Sequence, residues 1–154
     1  MVKSLLVVAA ASAVSCAVDN PPMQIGSLDR EYFRCNVQPV LAARCAFPAC
    51  HGSARRPLSL YAVGRMRYQV GWDRPTEPLT ATELESNFRI ASGFSTATAT
   101  GDVWLLVKPL DTAAGGYYHR GADLYGGQDV FLDTTDPDYQ TLASWIAGAQ
   151  GCAP

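Results

Sequence analysis

Apolar positions along the chain gather into two strongly periodic stretches, one near each end. Over 28–44, Phe33, Val37, Val40 and Leu41 recur at helical spacing and would share one face of a helix. Ser27 stands where an N-cap belongs, and Asp29 puts negative charge in the first turn, where the helix dipole favours it. Pro39 lies inside this stretch. A proline there removes a helical hydrogen bond and strikes the preceding turn, so a kink is expected, or a restart with Pro39 at the first helical position. The second stretch opens on Asp136-Pro137-Asp138, which supplies a cap, a first-position proline and an acidic first turn. Tyr139, Leu142, Ala143, Ile146 and Ala149 then repeat at spacings of three and four, with Trp145 beside that face and Gly148 or Gly151 placed to end the helix. Between the two helices lie 57–100 and the glycine-rich 113–127, where much of the chain is expected to be irregular. The short apolar run 103–107 fits strand or helix, and no internal repeat is visible.

The first fifteen residues differ from the rest. Lys3 is followed by a short apolar run over 5–11 and then by small residues up to Cys16, the pattern of a signal peptide over 1–15. The run is well short of the ~20 residues a membrane-spanning helix needs. Ala11-Ser12-Ala13 fits an ordinary cleavage site. Ala13-Val14-Ser15-Cys16 resembles a bacterial lipobox, although Ala13 stands where a larger apolar residue is usual. Cysteine parity favours the second reading, because assigning Cys16 to a lipid leaves an even number of the five cysteines in an oxidising compartment. Residues 16–26, with Asp19-Asn20-Pro21-Pro22, then form a tether, and 27–154 form the domain. The expected location is outside the cytoplasm, periplasmic or at the cell surface, with a membrane anchor through Cys16.

Length and charge narrow the classes further. A chain of 154 residues suits one domain. Twelve basic and fourteen acidic residues are spread along it, so no nucleic-acid footprint is present. Only 17% of residues are charged, and thirteen glycines and ten prolines indicate a loop-rich fold rather than a regular helical bundle, so with the two helices the expectation is a mainly α fold with long loops.

The stretch that carries chemistry follows directly on the first helix: Cys45-Ala46-Phe47-Pro48-Ala49-Cys50-His51-Gly52. Covalent haem attachment needs two thiols to add across two vinyl groups, and an imidazole immediately after the second thiol to reach the iron. Cys50-His51 has that adjacency. The usual spacing between the thiols is two residues, and here it is four. Two other readings use the same residues: a local Cys45–Cys50 disulfide with His51 a bystander, and a zinc site made of Cys45, Cys50 and the two histidines. Adjacent Cys50 and His51 are poorly placed for the zinc site.

Tyr32-Phe33 and Val37-Gln38-Pro39-Val40-Leu41 ahead of Cys45, Cys50-His51-Gly52 and Leu58-Ser59-Leu60 after it, and the terminal Asp136-Pro137-Asp138-Tyr139, Leu142, Trp145-Ile146 and Gly148-Ala149 resemble the single-haem cytochrome c domains of bacterial cell-envelope proteins. The likeness covers both ends of the domain and fades across 61–100, which reads as an insertion of unknown role. The resemblance implies a cytochrome c-like fold, with N- and C-terminal helices crossing beside one covalently bound haem c, and His51 as one axial ligand. It implies His119 as the other, since Gly115-Gly116-Tyr117-Tyr118-His119-Arg120-Gly121 is similar to the family segment that carries a histidine between glycines. Met66, in Gly64-Arg65-Met66-Arg67, is the rival, Met23 a more remote one, and a surface histidine the plain alternative for His119. Cys35 and Cys152 lie in or beside the two helices that the family packs together. A disulfide between them is the economical expectation, with free thiols the alternative. Trp104, Tyr117, Tyr118, Phe131 and Trp145 fit a haem wall or simply the core.

A haem held from both sides has no open site, so the implied function is one-electron transfer with redox partner proteins, and not catalysis. Two competitors remain: a haem-free, disulfide-bonded envelope binding or scaffold lipoprotein, and an enzyme with open iron. Redox partners and self-assembly are not legible in the chain.

Overall fold

The Asp29 carboxylate starts the first helix by accepting the Tyr32 amide at 2.6 Å, which satisfies one of the amides that a helix N-terminus leaves unpaired. The cap is therefore Asp29 and not Ser27. The first helical residue is Arg30, so Asp29 is the residue immediately before the helix, and its side chain reaches the third helical amide. This computed structural model describes residues 27–68, 76–120 and 126–152. The expected signal peptide (1–15), the tether (16–26), Cys16 and Met23 lie outside the described residues.

From Asp29 one continuous helical rod runs over 30–45. Its α-helical pieces, Arg30–Tyr32 and Gln38–Val40, alternate with π-helical Phe33–Val37 and Leu41–Cys45. Pro39 neither breaks nor restarts it. In the wide turn just before, the Gln38 amide donates to the Phe33 carbonyl, and that widening makes room for a proline ring that would otherwise strike the carbonyl four residues back.

The terminal helix, Pro137–Ile146, has the expected start: Asp136 accepts from the Asp138 and Tyr139 amides. It ends at Gly148, whose φ of +100° is in the left-handed region. There the Gly148 amide donates to Trp145 and the Ala149 amide to Ser144, a pairing that closes the last turn and that glycine adopts without strain.

A third helix, Ala81–Phe94, occupies the region read from sequence as an insertion without assigned structure. Thr80 and Glu83 cap it reciprocally, the Thr80 hydroxyl accepting the Glu83 amide and the Glu83 carboxylate accepting the Thr80 amide. The three helices meet at three aromatic rings. Phe33 lies 5.2 Å from Trp145 and 5.4 Å from Phe88, and Phe88 and Trp145 are 5.9 Å apart. Phe33 and Trp145 are almost wholly buried, so this junction carries much of the apolar burial that holds the fold. Trp145 Nε1 donates to the Asp29 carbonyl and the Gly151 amide to its carboxylate, so the two chain ends are also joined by polar contacts. Cys35 and Cys152 complete the clamp as a disulfide, with Cα atoms 5.4 Å apart. Buried Asn87 stitches in the loop after the rod, donating to Gln38 Oε1 and the Tyr61 carbonyl and accepting from the Tyr61 amide.

Among the described residues the rest is mostly loop, with the short helix Trp104–Val107 and the 3-10 turn Thr112–Ala114. Among the described residues there is no strand beyond isolated bridges such as Leu110 with Phe131, and no helix is long and apolar enough to cross a membrane.

Glu83 gives the fold a measurable acid limb. Burial pushes its carboxyl upward, but hydrogen bonds from Arg67, the Tyr68 and Thr80 amides and the Thr80 hydroxyl outweigh that and hold it at about 2, against an ordinary 4.5. At about 1.4 kcal/mol per unit, the carboxylate contributes on the order of 3 kcal/mol. Because the folded value is depressed, that stability is present above pH 4.5 and is lost as pH falls towards 2. Urea unfolding at pH 7 is expected to show E83Q destabilised by this order, with the gap to wild type closing by pH 2. An E83Q curve parallel to wild type across that range would contradict the assignment.

Candidate functional site

The rod delivers Cys45 to the interior, where it is 8% exposed. Burial, only partly opposed by Arg44, pushes its thiol up to about 12, so it stays protonated at neutral pH. The four residues after it are wound into a tight turn. The His51 amide donates back to the Cys45 carbonyl, and the Cys50 and Gly52 amides both reach the Phe47 carbonyl. A Cβ on Gly52 would lie 2.2 Å from the Ala46 carbonyl oxygen, so only glycine lets this turn close. The Arg65 guanidinium lies 3.9 Å from the Phe47 ring centroid and pins the turn from outside. The four-residue spacing is thus absorbed locally. Cys45 and Cys50 are both free thiols, so the local disulfide is not formed.

His51 is fixed by the chain that follows. Its carbonyl accepts the Leu60 amide, and its Nδ1 lies 2.8 Å from the Leu58 carbonyl. A carbonyl only accepts, so Nδ1 carries the proton and Nε2 keeps a free lone pair. Burial lowers the His51 pKa, against the raising effect of the Leu58 hydrogen bond, so the ring is held neutral and able to bind a metal.

The facing wall comes from the loop after Trp104–Val107. The Tyr117 amide returns to the Val107 carbonyl, and a Cβ on Gly116 would fall 1.8 Å from the Leu110 carbonyl oxygen. That close approach turns the chain inward and brings His119 opposite His51. The two imidazoles are nearly parallel, 7° apart, with centroids 5.9 Å from each other. Burial, and then the Lys108 charge, lower the His119 pKa too. Its Nδ1 is 3.9 Å from Asp129 Oδ1. That is too long for a hydrogen bond, and with His119 held neutral it is not an ion pair.

Cys45, Cys50, His51 and His119 all line one cavity. The cavity has a volume of about 170 Å³ and is open to solvent on one side. Leu58, Phe94, Leu105, Val130 and Leu142 make its wall apolar, and Arg44 and Lys108 add two cations. No family model, curated protein or solved structure matches this chain. The site is therefore read from its own residues.

Of the residues singled out in the sequence, those four come together, and Met66 is not among the residues lining the cavity. Of the five aromatics, Trp104 lines it, Phe131 and Trp145 are core, and Tyr117 and Tyr118 face solvent. Among the described residues, the one group of three or more His, Cys, Asp or Glu whose donor atoms converge is Glu31, Cys35 and Cys152, two of which are already disulfide-bonded. The four cavity residues do not gather around one point as a tetrahedral zinc site requires. Sequence reasoning missed Asp129 and the Leu58 carbonyl. Neither has a local signal: a loop aspartate and a backbone oxygen look ordinary until the fold sets them behind an imidazole.

Proposed function

We propose that this protein is a one-electron carrier of the cytochrome c type, holding one haem covalently through Cys45 and Cys50 with His51 and His119 as axial ligands. The observation that carries this reading is the parallel His51–His119 pair across a cavity that also presents two free thiols. An imidazole nitrogen binds a first-row metal at about 2 Å, as it does zinc. Two such bonds on opposite sides of one ion, plus a ring radius at each end, put the centroids roughly 6 Å apart. The 5.9 Å separation agrees.

The donor chemistry fits as well. The Leu58 carbonyl fixes the His51 tautomer that leaves Nε2 for the iron. The free Cys45 and Cys50 thiols would carry the covalent links, and the apolar wall suits a macrocycle. Of the two cations at the cavity, Arg44 is paired with Asp136 and Asp138, and Lys108 would meet the macrocycle's carboxylates. When bound, the group supplies an Fe(III)/Fe(II) couple. His51 and His119 would hold the iron, and with both imidazoles engaged the site would favour electron transfer over catalysis. Redox partner proteins in the cell envelope, export through residues 1–15 and membrane attachment through Cys16 belong to the same proposal.

Expression with a haem-maturation system tests it. A Soret band that remains with the polypeptide after denaturation is expected, and it should be lost in the C45S/C50S double variant. Colourless wild-type protein of unmodified mass would end the cytochrome reading and leave the haem-free envelope scaffold.

A further inference from the structure

His119 and Asp129 present an unresolved pair. His119 Nδ1 and Asp129 Oδ1 are both buried without a hydrogen-bond partner, and a buried polar atom left unpaired is destabilising. They are 3.9 Å apart. A bridging water, with two bonds of about 2.8 Å at a tetrahedral bend, would need roughly 4.6 Å, so the gap suits a direct bond closed by a small movement rather than a water. Asp129 is 7% exposed. It is anchored by its neighbours Val130 and Phe131, the latter bonded through backbone to Pro109 and Asp111 at the base of the His119 loop.

We infer that Asp129 is the positioning residue for His119: its carboxylate accepts the Nδ1 proton when the imidazole takes up its ligand, fixing the tautomer that offers Nε2 to the iron. This rests on the haem reading above. The two axial histidines then differ in kind, since His51 donates to a neutral backbone carbonyl and His119 to a carboxylate. A carboxylate partner makes an imidazole a stronger electron donor. The Asp129 side of the iron should therefore stabilise the ferric state and lower the midpoint potential.

The test uses haem-loaded wild type, D129N and D129L, with carbon monoxide competition at the ferrous iron and the midpoint potential as readouts. In D129N the amide oxygen still accepts the Nδ1 proton. Carbon monoxide affinity should stay within about threefold of wild type, while the potential moves upward because the negative charge is gone. In D129L nothing holds Nδ1, and carbon monoxide affinity is expected to rise about 10- to 100-fold, the usual scale for losing an outer partner of a metal-binding histidine. If D129L does not fold, D129A or D129V removes the acceptor instead, and carbon monoxide affinity decides, since loss of a nearby negative charge moves the potential whether or not Asp129 bonds His119. Wild-type potential in D129N, or wild-type carbon monoxide affinity in a folded D129L, D129A or D129V, overturns the inference while the haem reading stands. Wild type without covalent haem overturns both.

Discussion

Replacing both Cys35 and Cys152 with serine is expected to lower the free energy of unfolding by about 5 kcal/mol. The two residues are 117 positions apart, and a cross-link that closes so long a loop removes a large part of the unfolded chain's freedom while costing the folded state little. The loss would be a large share of the 5–15 kcal/mol typical of a whole domain. The contacts around the bond show why the ends remain docked once joined. Asp29 receives Trp145 Nε1 and the Gly151 amide, and Phe33 packs on Trp145 beneath them. Guanidinium unfolding of wild type with and without reductant, beside the C35S/C152S variant, measures the effect. Reduced wild type should match the variant. A loss below about 1 kcal/mol would mean that the aromatic junction and the Asp29 contacts hold the termini together without the bond.

The second large effect concerns the iron. Loaded wild type should be low-spin, and carbon monoxide should barely disturb its reduced spectrum, since under the proposed function His119 would hold the sixth position. In H119A that position opens. The ferric spectrum should turn high-spin, and carbon monoxide should bind the ferrous form at least about tenfold more tightly. Met66 is the side chain that could otherwise have closed the site, and it does not line the cavity. An unchanged low-spin spectrum in H119A would exclude His119 and return the question to another ligand. A large carbon monoxide shift in wild type would instead support the open-iron enzyme.

The features that were legible in the chain are those with short-range causes. The Asp136-Pro137 start of the last helix and its glycine stop depend on residues within one turn of each other. The adjacency of Cys50 and His51 is likewise local. Thr80 and Glu83 carry an equally local capping signal for the third helix, and Leu84, Phe88 and Ala91 repeat behind it at spacings of four and three, although Glu83 and Asn87 interleave as buried polar residues. Pro39 was readable as a disturbance but not in its outcome, since a widened turn and a kink answer the same steric clash and packing against Trp145 and Phe88 decides between them.

Local sequence determined a mainly helical, loop-rich domain with capped helices at each end and a cysteine-histidine motif behind the first, because periodicity, caps and adjacent donors act over a few residues. Tertiary structure alone decided what faces that motif. His119 lies far along the chain within a glycine loop and meets His51 only because Gly116 allows the backbone to pass against Leu110, and Asp129 stands behind His119 only because Phe131 pairs with Pro109 and Asp111. Such contacts join distant segments through packing and backbone hydrogen bonds, which leave no periodic trace in the residues they bring together.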